Sequence, residues 1–129
     1  MYVKRGSILH GHFDNIEHPK FFVVIGEDSD NLVGFFFVNS RIPISIMRDQ
    51  EHFDMQMQIK KDSYGFLKYD SFICADKINA ISKGKLEKDI SKNMTQLKGV
   101  LTNEDLEMLL SASRNSKLFS DIEKETFLQ

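Results

Sequence analysis

Apolar positions cluster early in the chain in two short unbroken runs, Phe21-Phe22-Val23-Val24-Ile25 and Phe35-Phe36-Phe37-Val38. Runs of this length, rich in β-branched and aromatic residues and bounded by Gly26 and by Asn39-Ser40, predict strands buried on both faces. Gly26 to Asn31 between them is turn chemistry. Before them, Ile8, His10 and His12 alternate with Leu9, Gly11 and Phe13, a weak period-two signal for a first strand. Asp14 to Pro19 then reads as a turn, because Pro19 pushes His18 away from helical geometry. His52-Phe53-Asp54-Met55-Gln56-Met57-Gln58-Ile59 alternates polar with apolar, which predicts a strand with one wet face. Asp62-Ser63-Tyr64-Gly65 is a turn. Residues 71–75 predict another strand, continued after a bend by residues 78–81.

Helical patterning enters late. Thr102 is a fitting N-cap for a helix whose first turn carries Glu104 and Asp105 and whose apolar stripe is Leu106, Leu109 and Leu110. Ser120 with Glu123 forms a capping-box pair for a shorter final helix. Residues 83–98, rich in Lys, Ser and Asn, read as a solvated excursion. The sum is a mainly β fold with α additions: a small barrel of five to seven strands with a C-terminal helix. Its 129 residues fit one domain. Leu118, Phe119, Ile122 and Phe127 are candidates for a more exposed apolar tail that covers a dimer or accepts a partner.

Charge and cysteine content narrow the classes. Seventeen Lys and Arg against nineteen Asp and Glu give a formal charge of −2, which excludes a broad basic field but leaves room for a local basic groove. The single Cys74 permits no internal disulfide and points to a reducing compartment; within an apolar strand it reads as buried and inert. Met1 to Gly6 turns polar at once, unlike a signal peptide, and no apolar run is long enough to span a bilayer. The expectation is a cytoplasmic protein without a membrane partner. His10, His12 and His18 lie close in sequence, but no carboxylate or Cys at ligand spacing completes a metal set. As acid or base they suit proton transfer near neutral pH. Phe35-Phe36-Phe37 has the composition of a base-stacking platform, though its continuity favours core. Arg41, directly after Ser40, suits a phosphate contact.

In order and spacing, several short motifs resemble the MazF/PemK toxin family, a group of SH3-like barrels. Lys4-Arg5-Gly6-Ser7-Ile8 resembles its opening Arg-Gly-Asp-Ile/Val. His18-Pro19-Lys20 with the following apolar strand resembles the Arg-Pro dipeptide after the first loop. Phe37-Val38-Asn39-Ser40 resembles the strand ending in Ile-Thr or Thr-Ser, and Tyr64-Gly65-Phe66 with Asp70-Ser71 the turn feeding the fifth strand. Asp76-Lys77-Ile78 with Lys83-Gly84-Lys85-Leu86 resembles a later Gln-Ile-Arg…Lys-x-Arg-Leu stretch, and residues 100–106 the opening of the last helix. The resemblance covers residues 1–112, with an insertion near 89–99 and an extension at 113–129.

The resemblance implies a growth-inhibiting endoribonuclease of a type II toxin–antitoxin system. Such an enzyme cuts single-stranded RNA through the 2′-hydroxyl without metal or cofactor, works as a homodimer and is silenced by an antitoxin protein. Carried over by position, it implies His18 as the first catalytic position and Ser40 or Asn39 as the second; Lys20 and Arg41 are candidates for the positive charge at the substrate phosphate, and Arg5 is a further candidate contact whose reading tilts toward structure. His18 stands where the family has Arg, so an imidazole replaces a guanidinium. The other expectation is a catalytically degenerate barrel that binds protein or nucleic acid.

Overall fold

The structure, a computed structural model, describes residues 3–129; Met1 and Tyr2, where the polar opening of the chain begins, lie outside the described residues. Among the described residues seven antiparallel strands and five short helices make up the fold, which is mainly β as the sequence predicts. β1 (Ser7–Gly11), β2 (Lys20–Glu27) and β3 (Leu32–Asn39) form a meander. Its β2–β3 turn is held by the Asp28 carboxylate, which accepts from the backbone N–H of Asp30 and Leu32 at 2.9 and 2.7 Å. Asn31 takes the left-handed conformation there, φ 67°, which Asn tolerates well.

The remaining strands extend both edges of that meander. β5 (Ser71–Cys74) and β6 (Asn79–Ser82) pair with the two halves of β3: Val38 lies opposite Ile73 and Phe35 opposite Asn79. They are one path bent around residues 75–78, as the sequence suggests. β4 (Gln56–Ile59) flanks β5, and β7 (Thr95–Val100) flanks β1. The sheet order is β4-β5-β3-β2-β1-β7 with β6 beside β3. It is an open sheet: β4 and β7 end it and do not pair with each other, so the closed barrel of the sequence expectation is not formed.

Both faces of the sheet are covered, which explains the unbroken apolar runs. Along β1, Ile8 turns into one core with Val23, Ile25, Phe36 and Ile73, while Leu9 turns into the other with Phe22, Val24 and Phe35. The first core is closed by α4 (Asn103–Arg114) and α5 (Asp121–Phe127). Thr102 caps α4 by accepting from the Asp105 N–H, and Ser120 and Glu123 complete their reciprocal box at α5. The second core is closed by α3 (Lys83–Ser91) through Leu86, which is fully buried, a side chain whose burial contributes about 2 kcal/mol.

Three stretches depart from the sequence reading. Residues 83–98 are not a solvated excursion but α3 followed by β7. Leu86 and Ile90, four apart, face the sheet, and Ser82 caps the helix at the Lys85 N–H. The alternating stretch 52–59 is a strand only from Gln56. Asp49 caps the short helix α2 (Gln50–Phe53), preceded by α1 (Ile44–Met47), so helix appears well before the end of the chain. In the final segment Phe119 and Phe127 are core residues rather than an exposed tail, whereas Ile122 is 75% exposed. A Cβ on Gly26 would stand 2.1 Å from the Phe127 carbonyl oxygen, and one on Gly34 would stand 2.5 Å from its ring. These two glycines make the seat into which α5 settles.

Candidate functional site

Antiparallel pairing of β2 with β3 sets Phe21 opposite Val38. It therefore brings the turn after His18 beside the strand end at Ser40. A groove of about 480 Å³ opens there, lined by Pro19, Lys20 and Phe21 on one side and Asn39 and Ser40 on the other. β1 contributes His10, β7 contributes Lys98, and the segment before β5 contributes Phe66, Lys68 and Tyr69. A shallower hollow continues past Lys20, Asn39 and Ser40 to Arg41 and Ile44. Four of the six residues singled out from sequence, Lys20, Asn39, Ser40 and Arg41, thus lie together.

The other two do not join them. His18 is exposed on the turn leading into β2 and does not line the groove. Arg5 is structural. Its Nε donates to the Ile25 carbonyl at 2.7 Å and its Nη2 to the Phe127 carbonyl at 3.0 Å, so it ties β2 to α5. Burial, more than the nearby Arg114, lowers its pKa.

The imidazole inside the groove is His10, half-buried and packed on Phe21 with ring centroids 4.4 Å apart. Burial, then the positive field of Lys98, then His12 push its pKa below the ordinary 6.5. His12 lies past the end of β1 and lines a separate hollow with Phe13 and Lys85, so the two rings do not share one site. Lys98 owes its aim to a β-bulge. Leu9 faces Leu97 and Ile8 faces Gly99, leaving Lys98 as the extra residue on β7.

Lys20 lines the groove edge but turns its ammonium to the other face of the sheet, where it donates to Asn39 Oδ1 and sits 5.1 Å from the centre of the Phe37 ring. The Asn39 amide nitrogen in turn donates to Cys74 Sγ at 3.0 Å. Burial lowers the pKa of Lys20 and raises that of the Cys74 thiol, which Asp76 raises further. Cys74 is buried, as expected from its strand, and its thiol is suited to accept a hydrogen bond rather than to attack.

Among the described residues no Asp or Glu lines this groove, whose lining includes Lys68, Lys98 and His10, with Lys20 at its edge, in a chain of net charge −2. Such a lining suits an anion, because unopposed cations in a partly dehydrated groove act at a low effective dielectric. Sequence reading missed Lys68, Tyr69, Phe66 and Lys98, since each reaches the site only through pairings distant in sequence. Gly99 carried the one local signal: a Cβ there would stand 2.8 Å from the Phe66 ring, which marks a close approach of β7 to that loop. Phe35 and Phe36 are core, and Phe37 is half-buried beneath Lys20.

No protein-family model matches the chain, and no curated protein matches it. Among the described residues no helix is long and apolar enough to cross a membrane.

Proposed function

We propose that this groove binds the backbone of single-stranded RNA and that the protein is a metal-independent endoribonuclease, a divergent relative of the MazF/PemK toxins. The observation that carries the reading is the cationic groove free of carboxylates, with an imidazole held toward its neutral form. It lies where the resemblance puts its second site position, Ser40, and beside the turn that bears the first.

His10 rather than His18 is the proton acceptor on this reading. A neutral ring nitrogen takes the proton of a ribose 2′-hydroxyl as that oxygen attacks the adjacent phosphorus. The bond from phosphorus to O5′ breaks, leaving a 2′,3′-cyclic phosphate and a 5′-hydroxyl whose proton comes from a lysine ammonium or water. Lys68 and Lys98 stabilise the charge that builds on the phosphoryl oxygens, and Ser40 orients them. Arg41 extends the backbone track. The substrate supplies its own nucleophile, so cleavage requires no cofactor. The wider role is that of a cytoplasmic growth inhibitor, active as a homodimer and silenced by an antitoxin protein.

The test is cleavage of a single-stranded RNA by purified protein in the presence of EDTA, with the termini read by mass spectrometry. Products ending in cyclic phosphate, lost in His10→Ala and kept in His18→Ala, support the reading. Equal cleavage by wild type and His10→Ala removes His10 from the mechanism. A second reading, RNA binding without cleavage, is favoured by the presence of only one imidazole in the groove. It predicts retained oligonucleotide and no new termini.

A further inference from the structure

Tyr69 is the most exposed aromatic side chain of the groove, with 67% of its surface free. Its backbone is nonetheless held on its C-terminal side. Ser71 Oγ donates to the Tyr69 carbonyl at 2.9 Å, and the Asp70 carboxylate accepts from the Lys61 N–H at 2.9 Å. Among the described residues its ring stacks on no other ring, whereas Phe66, three residues earlier, is packed against Phe21 at 5.6 Å and forms part of the groove floor. A held backbone presenting an uncovered aromatic face beside Lys68 is the arrangement that takes a planar, apolar-faced group attached to an anion.

We propose that Tyr69 is a base-stacking platform, so that the groove takes an unpaired nucleotide with its phosphate toward Lys68 and Lys98 and its base on the Tyr69 ring. The inference rests on the nucleic-acid reading of the groove and adds to it a subsite for the base. A paired base inside a duplex has both faces covered by its neighbours, so this subsite selects single strands by exposure of the π-face. The readout is tolerant of sequence, because every base offers such a face. The hydroxyl plays no part in stacking, so the ring alone determines the effect.

The experiment uses the full chain with Tyr69→Trp, which introduces the only indole into a protein without Trp. It is titrated with a single-stranded oligouridylate and with an abasic ribose-phosphate oligomer of equal length. The expected result is saturable quenching of indole emission by the oligouridylate and none by the abasic oligomer. In parallel binding measurements, Tyr69→Ala weakens oligouridylate binding roughly tenfold, Tyr69→Phe stays near wild type, and abasic binding is unchanged in both. If Tyr69→Ala binds oligouridylate as tightly as wild type does, the platform is overturned while the groove's affinity for backbone stands. If wild type binds neither oligomer, the nucleic-acid reading fails and the platform fails with it. The side chain lies at the surface, so these substitutions leave the fold intact.

Discussion

Two histidines respond to pH in opposite directions. His52 Nδ1 lies 2.9 Å from the Asp76 carboxylate, and that hydrogen bond, followed by the charges of Asp49, Asp76 and Glu51 against a small burial cost, raises its pKa above 6.5. A raised native pKa contributes stability that is complete below the unfolded value and is lost as pH climbs through the native one. His10 is the reverse. Its lowered native pKa means the unfolded chain binds the proton more readily, so its contribution is present above 6.5 and lost as pH falls through the native value. An NMR titration of the ring protons should therefore find the His52 midpoint above that of His10. Asp76→Asn should bring the first down toward 6.5 and leave the second unmoved. On the proposed nuclease reading, a lowered His10 pKa keeps the base available into mildly acid solution, and Lys98→Ala should raise the acidic limb of a cleavage profile toward 6.5.

Helices and strands differ in how far local sequence specifies them. β2 and β3 are legible because unbroken apolar runs have only one use in a chain this size, and α4 and α5 because Thr102 and Ser120 cap them with neighbours three residues on. α3 is not legible. Its sequence offers only Leu86 and Ile90 as apolar anchors, and its buried Asp89 is paired with Lys85 at 3.3 Å, a partner that reads in isolation as surface charge. Strand periodicity misled at 52–55, where the Asp49-capped helix and the turn after it outweigh alternation. The candidate site divides in the same way. Lys20, Asn39 and Ser40 could be placed because they flank one hairpin, whereas Lys98 depends on β7 pairing with β1. Arg5 looked like a substrate contact because its two carbonyl partners lie 20 and 122 residues away. The α5 seat gives a test at this scale. Gly34→Ala forces a methyl into the Phe127 ring and should destabilise the fold by about 1–3 kcal/mol, read as a lower denaturation midpoint. Gly65→Ala, with open space around its Cβ position, should leave that midpoint nearly unchanged.

Across the whole molecule the distribution of charge matters more than its sum. On the proposed reading, an acidic chain that gathers Lys68 and Lys98 at one groove repels polyanions at long range and holds them at short range. Salt screens the first effect as well as the second. Counterion release at a few phosphates predicts a shallow negative slope of log affinity against log salt, about −0.7 for each phosphate neutralised on a single strand. Lys98→Ala and Lys68→Ala should each reduce the steepness of that slope by roughly one phosphate. Lys85→Ala on α3, away from the groove, should leave it as it was.

Ribosomes deliver β2 long before they deliver α5, yet the Arg5 guanidinium and the Gly26–Gly34 seat wait for Phe127. During synthesis the sheet therefore emerges with one face uncapped, and closure is postponed until the final helix clears the exit tunnel. Nonsense or frameshift lesions that remove Phe127 should accordingly behave as loss of the entire domain, and should leave an insoluble or rapidly degraded product.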